Sequence, residues 1–279
     1  MNKAKYVLRD GLALPQVGFG TSGLRGTQGA RVIEAALSNG YRLIDTAYNY
    51  ENEGTVGMAI RRSSIPREQI LVSSKLPGRY HAYPQALQAI QESLYRSGLD
   101  YFDLYLIHWP NPTQGLYVDA WRALIDAQKF GLVRSIGVSN FLPVHLDCLA
   151  QETGVLPVVN QVELHPTFSQ ASQRQYDAVH NILTEVWSPL GGHGHKILQL
   201  PLVSQLAEKY HKTPAQIILR WEIELGVLPL PLSGNSERQV QNLAVFDFTL
   251  ASADMQALTA LDRPDGRVTG QNPQTHEEM

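Results

Sequence analysis

Asp45 and Tyr50 stand five positions apart where a short apolar run, Tyr41-Arg42-Leu43-Ile44, gives way to Asp45-Thr46-Ala47-Tyr48-Asn49-Tyr50. An acid after an apolar strand ordinarily caps a turn. Here a phenol follows it, a proton donor beside a partner for a base. Two later runs end in further ionisable groups: Leu71-Val72-Ser73-Ser74-Lys75, and Asp103-Leu104-Tyr105-Leu106-Ile107-His108. Alone, Lys75 would be read as reaching out to solvent and His108 as a hydrogen-bonded structural histidine. Asp, Tyr, Lys and His on three successive strand ends form a constellation.

Its chemistry is coherent. A tyrosine titrates near 10 and is a weak acid at neutral pH. A nearby ammonium stabilises the phenolate, lowers that value and eases proton donation to a developing alkoxide. Asp45 would keep Lys75 charged and in place, and His108 would orient a carbonyl oxygen. The group is electrophilic and lacks a nucleophile, which suits carbonyl reduction. Gly137-Val138-Ser139-Asn140 and Val159-Asn160-Gln161 add donors and acceptors, and Val186-Trp187-Ser188-Pro189-Leu190-Gly191 adds an aromatic face and a Gly-bearing loop. In order around one rim they suit a nicotinamide stacked on Trp187, its carboxamide held by Ser139, Asn140 and Gln161.

Such groups must be carried by a repeated scaffold. Tyr6–Arg9 and Leu12–Leu14 flank Asp10-Gly11 and predict a hairpin. Strand-like runs follow at Arg42–Ala47, Ile70–Ser74, Phe102–His108, Ser135–Ser139, Val158–Leu164, Ile182–Trp187, Val227–Leu230 and, weakly, Phe246–Phe248. Segments of helical period lie before and between them, Gly40, Gly98, Gly131, Gly154 and Gly226 mark helix exits, and Ser252 caps a last helix. Strand then helix, about eight times in ~250 residues, predicts an α/β fold: a (β/α)8 TIM barrel with the hairpin closing its bottom. No composition shift divides the chain, so residues 1–279 read as a single domain.

The 279 residues are 43% hydrophobic and 18% charged, with formal net charge -3. That balance gives no electrostatic case for nucleic acid or an anionic membrane. The one cysteine, Cys148, excludes an internal disulfide and a Cys-ligated zinc site, and reads as a core filler. The N-terminal residues show no signal-peptide core, and no apolar run reaches membrane-spanning length, so the expected location is the cytoplasm. The expected partner is a small-molecule carbonyl substrate, with a monomer as the default state.

The segments Ile44-Asp45-Thr46-Ala47-x-x-Tyr50, Leu104-Tyr105-Leu106-Ile107-His108-Trp109-Pro110, Gly137-Val138-Ser139-Asn140 and Asn160-Gln161-Val162-Glu163-Leu164-His165-Pro166 match long, well-spaced patterns. On these the chain, from about Val7 to Asp262, resembles the aldo-keto reductase family and within it the bacterial 2,5-diketo-D-gluconate reductase branch. The resemblance implies a catalytic tetrad of Asp45, Tyr50, Lys75 and His108, with NADPH extended across the rim without a Rossmann domain. It implies cofactor contacts from Gly20, Thr21, Ser139, Asn140, Gln161, Trp187, Ser188, Leu190 and Gly191, and from Leu232, Ser233, Arg238, Gln241 and Asn242. Substrate would meet Ser22, Tyr50, His108 and Trp109. Trp187 stands where many members have a stacking tyrosine.

Two departures bear on selectivity. Leu232 replaces the lysine that in relatives faces the 2′-phosphate, which weakens selection for NADPH over NADH by ~1–3 kcal/mol. Ser233 and Arg238 remain, so NADPH is expected, with NADH as an alternative. Ser22-Gly23 replaces a pocket Phe or Trp, which predicts a wider or more polar mouth. The loops around Ser22, Tyr80 and Trp109 and the segment after Asp262 are expected to set specificity.

The strongest rival is Gly18-Phe19-Gly20-Thr21-Ser22-Gly23, a G-x-G-x-x-G with Asp45 at the distance of a ribose-binding acid. Against a Rossmann-type dehydrogenase, Pro15 interrupts the preceding strand, and Leu24–Gly29 delays the helix. Thr21 and the glycines are expected at the barrel mouth near the cofactor ribose. Gly191-Gly192-His193-Gly194-His195 lacks an acid or thiol for a metal site and reads as a surface loop. A barrel that binds nucleotide as a regulatory subunit without turnover is the remaining alternative; the intact tetrad argues against it.

Overall fold

A computed structural model describes residues 5–192 and 196–279. The hairpin forms as predicted: β1 (Lys5–Val7) pairs antiparallel with β2 (Ala13–Pro15) across Asp10-Gly11. Eight parallel strands follow: β3 (Phe19–Gly20), β4 (Leu43–Asp45), β5 (Leu71–Leu76), β6 (Phe102–Ile107), β7 (Val133–Ser139), β8 (Val159–Glu163), β9 (Leu183–Trp187) and β10 (Leu228–Pro229). Each pairs with the next in sequence. The ring closes between its ends, where the Gly18 N–H donates to the Pro229 carbonyl at 3.0 Å and the Gly20 N–H to Pro231 at 3.2 Å.

The strand count in the sequence is right in number and wrong by one in register. Phe19–Gly20 is the first strand, although its glycines resemble a loop, and Phe246–Phe248 is a bend in which Asp247 bonds Lys212. Asp45, Lys75 and His108 therefore leave the second, third and fourth strands.

Among the described residues ten helices link the strands or follow them, and their placement explains the periodicity. In α1 (Gly26–Ser38), Ala30, Ile33, Ala36 and Leu37 are buried, a spacing that lays one face on the sheet. Before α8 (Pro214–Glu224), Thr213 and Gln216 form a reciprocal capping box, with proline at the first helical position. The strands divide their residues by period two: in β6, Leu104 and Leu106 join the barrel interior, whereas Tyr105 and Ile107 join the layer under the helices. Leu8 and Leu14 of the hairpin pack with Leu43, Leu104, Leu106, Val159 and Leu228, closing the N-terminal end of the barrel with apolar side chains. Each such burial contributes ~1.5–3 kcal/mol. Cys148 is half-buried rather than a core filler.

After α10 (Ser252–Thr259), the segment from Asp262 to Met279 runs over the C-terminal mouth. It is held by Asp262 on the Ser169 N–H at 2.7 Å and by Arg263 N–H on the Thr167 carbonyl at 3.1 Å. No helix among the described residues is long and apolar enough to cross a membrane. His193, Gly194 and His195, from the loop considered above for metal, lie outside the described residues.

Candidate active site

The same period that places half-buried Leu71 and buried Ser73 on the inner face of β5 carries Lys75 inward, fully buried. Its ammonium donates to Asp45 Oδ1 at 2.8 Å, Asp45 Oδ2 at 2.7 Å and the Thr46 carbonyl at 2.8 Å. Burial alone would lower the lysine, but Asp45, Tyr50 and Glu185 outweigh it, and its value lies above the ordinary one. Lys75 is a fixed cation.

That cation lies 5.0 Å from the centre of the Tyr50 ring. Tyr50 is the last residue of a single helical turn, Tyr48–Tyr50, and its ring stands edge-on to His108, centroids 5.8 Å apart. Burial raises the Tyr50 hydroxyl, and the lowering by Lys75 does not cancel it. The sequence-based expectation of a net lowered value thus does not hold. The ammonium opposes desolvation without overcoming it, so Tyr50 is kept protonated at neutral pH, the form a proton donor requires.

The tetrad gathers at one end of a cavity of about 1000 Å3 at the strands' C-terminal ends. Its walls include Gly20, Thr21, Ser22, Asp45, Tyr50, His108, Trp109, Asn140, Gln161, Trp187, Ser188 and Leu190, then Leu232, Ser233, Arg238, Gln241 and Asn242. Ser139 and Gly191 are not brought to this wall. The Ser139 hydroxyl donates to the Gln161 carbonyl at 2.8 Å, and Gly191 packs on Ile197, which leaves no room there for a Cβ. Asn140 lines the cavity but is committed within the protein. Its Nδ2 donates to the His108 carbonyl at 3.0 Å, and its Oδ1 accepts from Trp187 Nε1 at 2.8 Å. It fixes the indole that was expected to stack on a ligand. Arg238 is exposed and pairs with no carboxylate among the described residues. Tyr80 lines a separate cavity of about 510 Å3 with Tyr48, Arg79 and Arg96, away from the tetrad.

Two acids escaped the sequence reading. Glu185, fully buried, accepts from Gln161 Nε2 at 3.1 Å, and the same nitrogen donates to Asp45 Oδ1 at 2.9 Å. Burial first, then Asp45, pushes the Glu185 carboxyl up to about 8 against the pull of Gln161 and Lys75. Period two signals it, since Glu185 sits two positions before Trp187 on β9 and shares its face. The second is Glu278. Its Oε1 lies 2.7 Å from His108 Nδ1 and accepts from Asn49 Nδ2 at 2.7 Å, and its Oε2 accepts from the Gly78 N–H at 3.2 Å. Burial raises this carboxyl; His108, Asn49 and Gly78 outweigh it and hold it below the ordinary range. No periodicity in the segment points to Glu278.

A closed parallel barrel with a phenol, an ion-paired lysine and a histidine at its mouth defines a class of barrel catalyst built for a polarised oxygen. The Aldo/keto reductase family matches residues 16–263. The chain is 49% identical over 272 residues to 2,5-diketo-D-gluconic acid reductase B of Corynebacterium sp. (strain SHS752001), covering 98% of this chain and 97% of that protein. It is 42% identical over 272 residues to methylglyoxal reductase DkgA of Escherichia coli (strain K12), covering 98% of each. A crystal structure of a Gox0644 variant in complex with NADPH superposes with a TM-score of 0.93 at 40% identity, covering 99% of this chain and 100% of that one. The chain belongs to the aldo/keto reductase family.

Proposed function

We propose that this protein reduces an aldehyde or ketone to an alcohol with NADPH, Tyr50 giving the proton. The observation that carries the reading is the buried Lys75–Asp45 pair beneath Tyr50, with His108 facing the same ring. Tyr50 meets the carbonyl oxygen as a neutral acid, and the ammonium 5.0 Å from its ring stabilises the phenolate left when the proton departs. His108 borders the same space and orients the oxygen. Asp45 keeps Lys75 charged where burial would otherwise neutralise it.

The cavity fits a nicotinamide dinucleotide. Gln161 is aligned by two carboxyl acceptors on its Nε2, which leaves Oε1 for a carboxamide N–H. The Trp187 indole is fixed by Asn140 as a stacking face, and the exposed Arg238 offers its guanidinium to a phosphate. When bound, such a cofactor supplies the hydride. The NADPH complex of the structural neighbour supports NADPH here, and Leu232 in place of a cation makes NADH an alternative. The names of the two relatives suggest sugar keto acids and small dicarbonyls as the first substrates to try.

The test is steady-state oxidation of NADPH and of NADH against 4-nitrobenzaldehyde, methylglyoxal and 2,5-diketogluconate. Turnover with NADPH is expected on at least one. Cofactor binding without turnover on any carbonyl would return the chain to the regulatory reading.

A further inference from the structure

We propose that Glu278 sets the charge selectivity of the carbonyl pocket, favouring neutral carbonyl substrates over those that carry a carboxylate on the reacting carbon. The inference rests on the reductase reading and names the substrate class for that same site. Its starting point is a seat built for one residue of an otherwise irregular segment. Asn111, buried and with a left-handed backbone (φ 46), brackets the Glu278 main chain: its Nδ2 donates to the Glu278 carbonyl at 2.7 Å, and its Oδ1 accepts from the Glu278 N–H at 3.0 Å. Gly78 completes the seat, because a Cβ there would stand 2.1 Å from Asn111 Nδ2 and 2.5 Å from the Glu278 carbonyl oxygen. Arg79 ties down the next residue by donating to the Met279 carbonyl at 2.7 Å. Glu278 is a fixed part of the wall.

The seat delivers a carboxylate to the place where substrate must bind. Glu278 borders the cavity beside Tyr50 and His108 and lies 2.7 Å from His108 Nδ1, its one ion-pair partner among the described residues. Among the described residues no free lysine or arginine balances it there. Lys75 is bonded to Asp45, and Arg79 donates to Asn49 and Met279. The exposed guanidinium of the cavity wall, Arg238, is on the helix beyond the last strand. A carbonyl compound placed at Tyr50 with a carboxylate on the same carbon would bring two negative groups together or have to displace Glu278 from His108. A neutral aldehyde or ketone meets neither obstacle.

The test compares methyl phenylglyoxylate with phenylglyoxylate, which share a ring and the reacting ketone and differ in charge, using the full chain and NADPH. In Glu278→Gln the ratio of kcat/KM for the acid to that for the neutral compound should rise about tenfold, chiefly through a lower KM for the acid, as expected for removal of a screened like charge. Glu278→Asp, which keeps the charge, should stay within about twofold of the unsubstituted ratio on the same grounds. Added salt should raise the ratio in the unsubstituted protein and leave it unmoved in Glu278→Gln. An unmoved ratio in Glu278→Gln, or an equal rise in Glu278→Asp, would overturn the inference and leave the reductase reading standing. Absence of turnover by the unsubstituted chain on every carbonyl tried would overturn both.

Discussion

At the tetrad end of the mouth cavity, Lys75 has three acceptors, Gln161 bridges two carboxyl groups, and Asp45 is buried. At the other end, Arg238 is exposed without a carboxylate partner among the described residues, and Leu232 is only half-buried on the loop after the last strand. One end is a buried, connected polar network in a low-dielectric interior, where each member constrains the others. The other is a set of water-facing groups acting singly. Substitution at the first should therefore cost stability and chemistry together, and substitution at the second should shift selectivity and leave the fold alone.

The sharpest way to break this contrast is Lys75→Met. It strands Asp45 beneath Tyr50, and we expect turnover to vanish and unfolding stability to fall by ~3–5 kcal/mol, measured by urea denaturation. A folded, fully stable variant would show that the pair is not what holds this end together. Tyr50→Phe separates chemistry from structure: turnover should fall roughly a hundredfold or more with cofactor affinity, read by fluorescence titration, nearly unchanged.

Glu185 gives a pH test of the buried network. Its carboxyl titrates at about 8 in the folded chain against an ordinary value of 4.5. Between those values the folded state holds a proton that the unfolded state has lost, so this group's contribution to stability falls as pH rises from about 4.5 to 8 and is level above. Glu185→Gln should remove that fall, so whatever pH-independent cost the substitution carries, the difference in melting temperature should move in the variant's favour from about pH 4.5 to 8 and stay level above. Parallel pH profiles would place Glu185 in a wetter setting. The smallest effect belongs to the exposed end: Leu232→Lys should tighten NADPH over NADH by ~1 kcal/mol without changing the melting temperature. Equal tightening would put the phosphate elsewhere.

The same division governs what could be read without a structure. Asp45, Lys75 and His108 were legible because period two and the strand ends carry their meaning locally, and Asp10-Gly11 announces its hairpin by turn chemistry alone. Phe19–Gly20 was not legible as a strand, since two residues carry no period and their pairing depends on Ile44, Asp45, Pro229 and Pro231. The Ser139 hydroxyl and the Asn140 amide were expected to face a ligand, but their acceptors and donors lie on neighbouring strands and on Trp187. Glu278 was hidden for the same reason at greater range: Asn49, Gly78 and Asn111, which seat it, are 229, 200 and 167 positions away. Long-range hydrogen bonding leaves no local pattern.

The closure of the barrel has a mechanical consequence. Between its first and last strands the ring is fastened by the Gly18 and Gly20 amides on the carbonyls of Pro229 and Pro231, and the prolines offer no N–H in return. This clasp is the thinnest stitch in the cylinder. A dinucleotide lying from Gly20–Ser22 on one side to Leu230–Ser233 on the other would straddle it. Cofactor would then act as a splint, and amide exchange at Gly18 and Gly20 should slow more on NADPH addition than exchange in the long central strands.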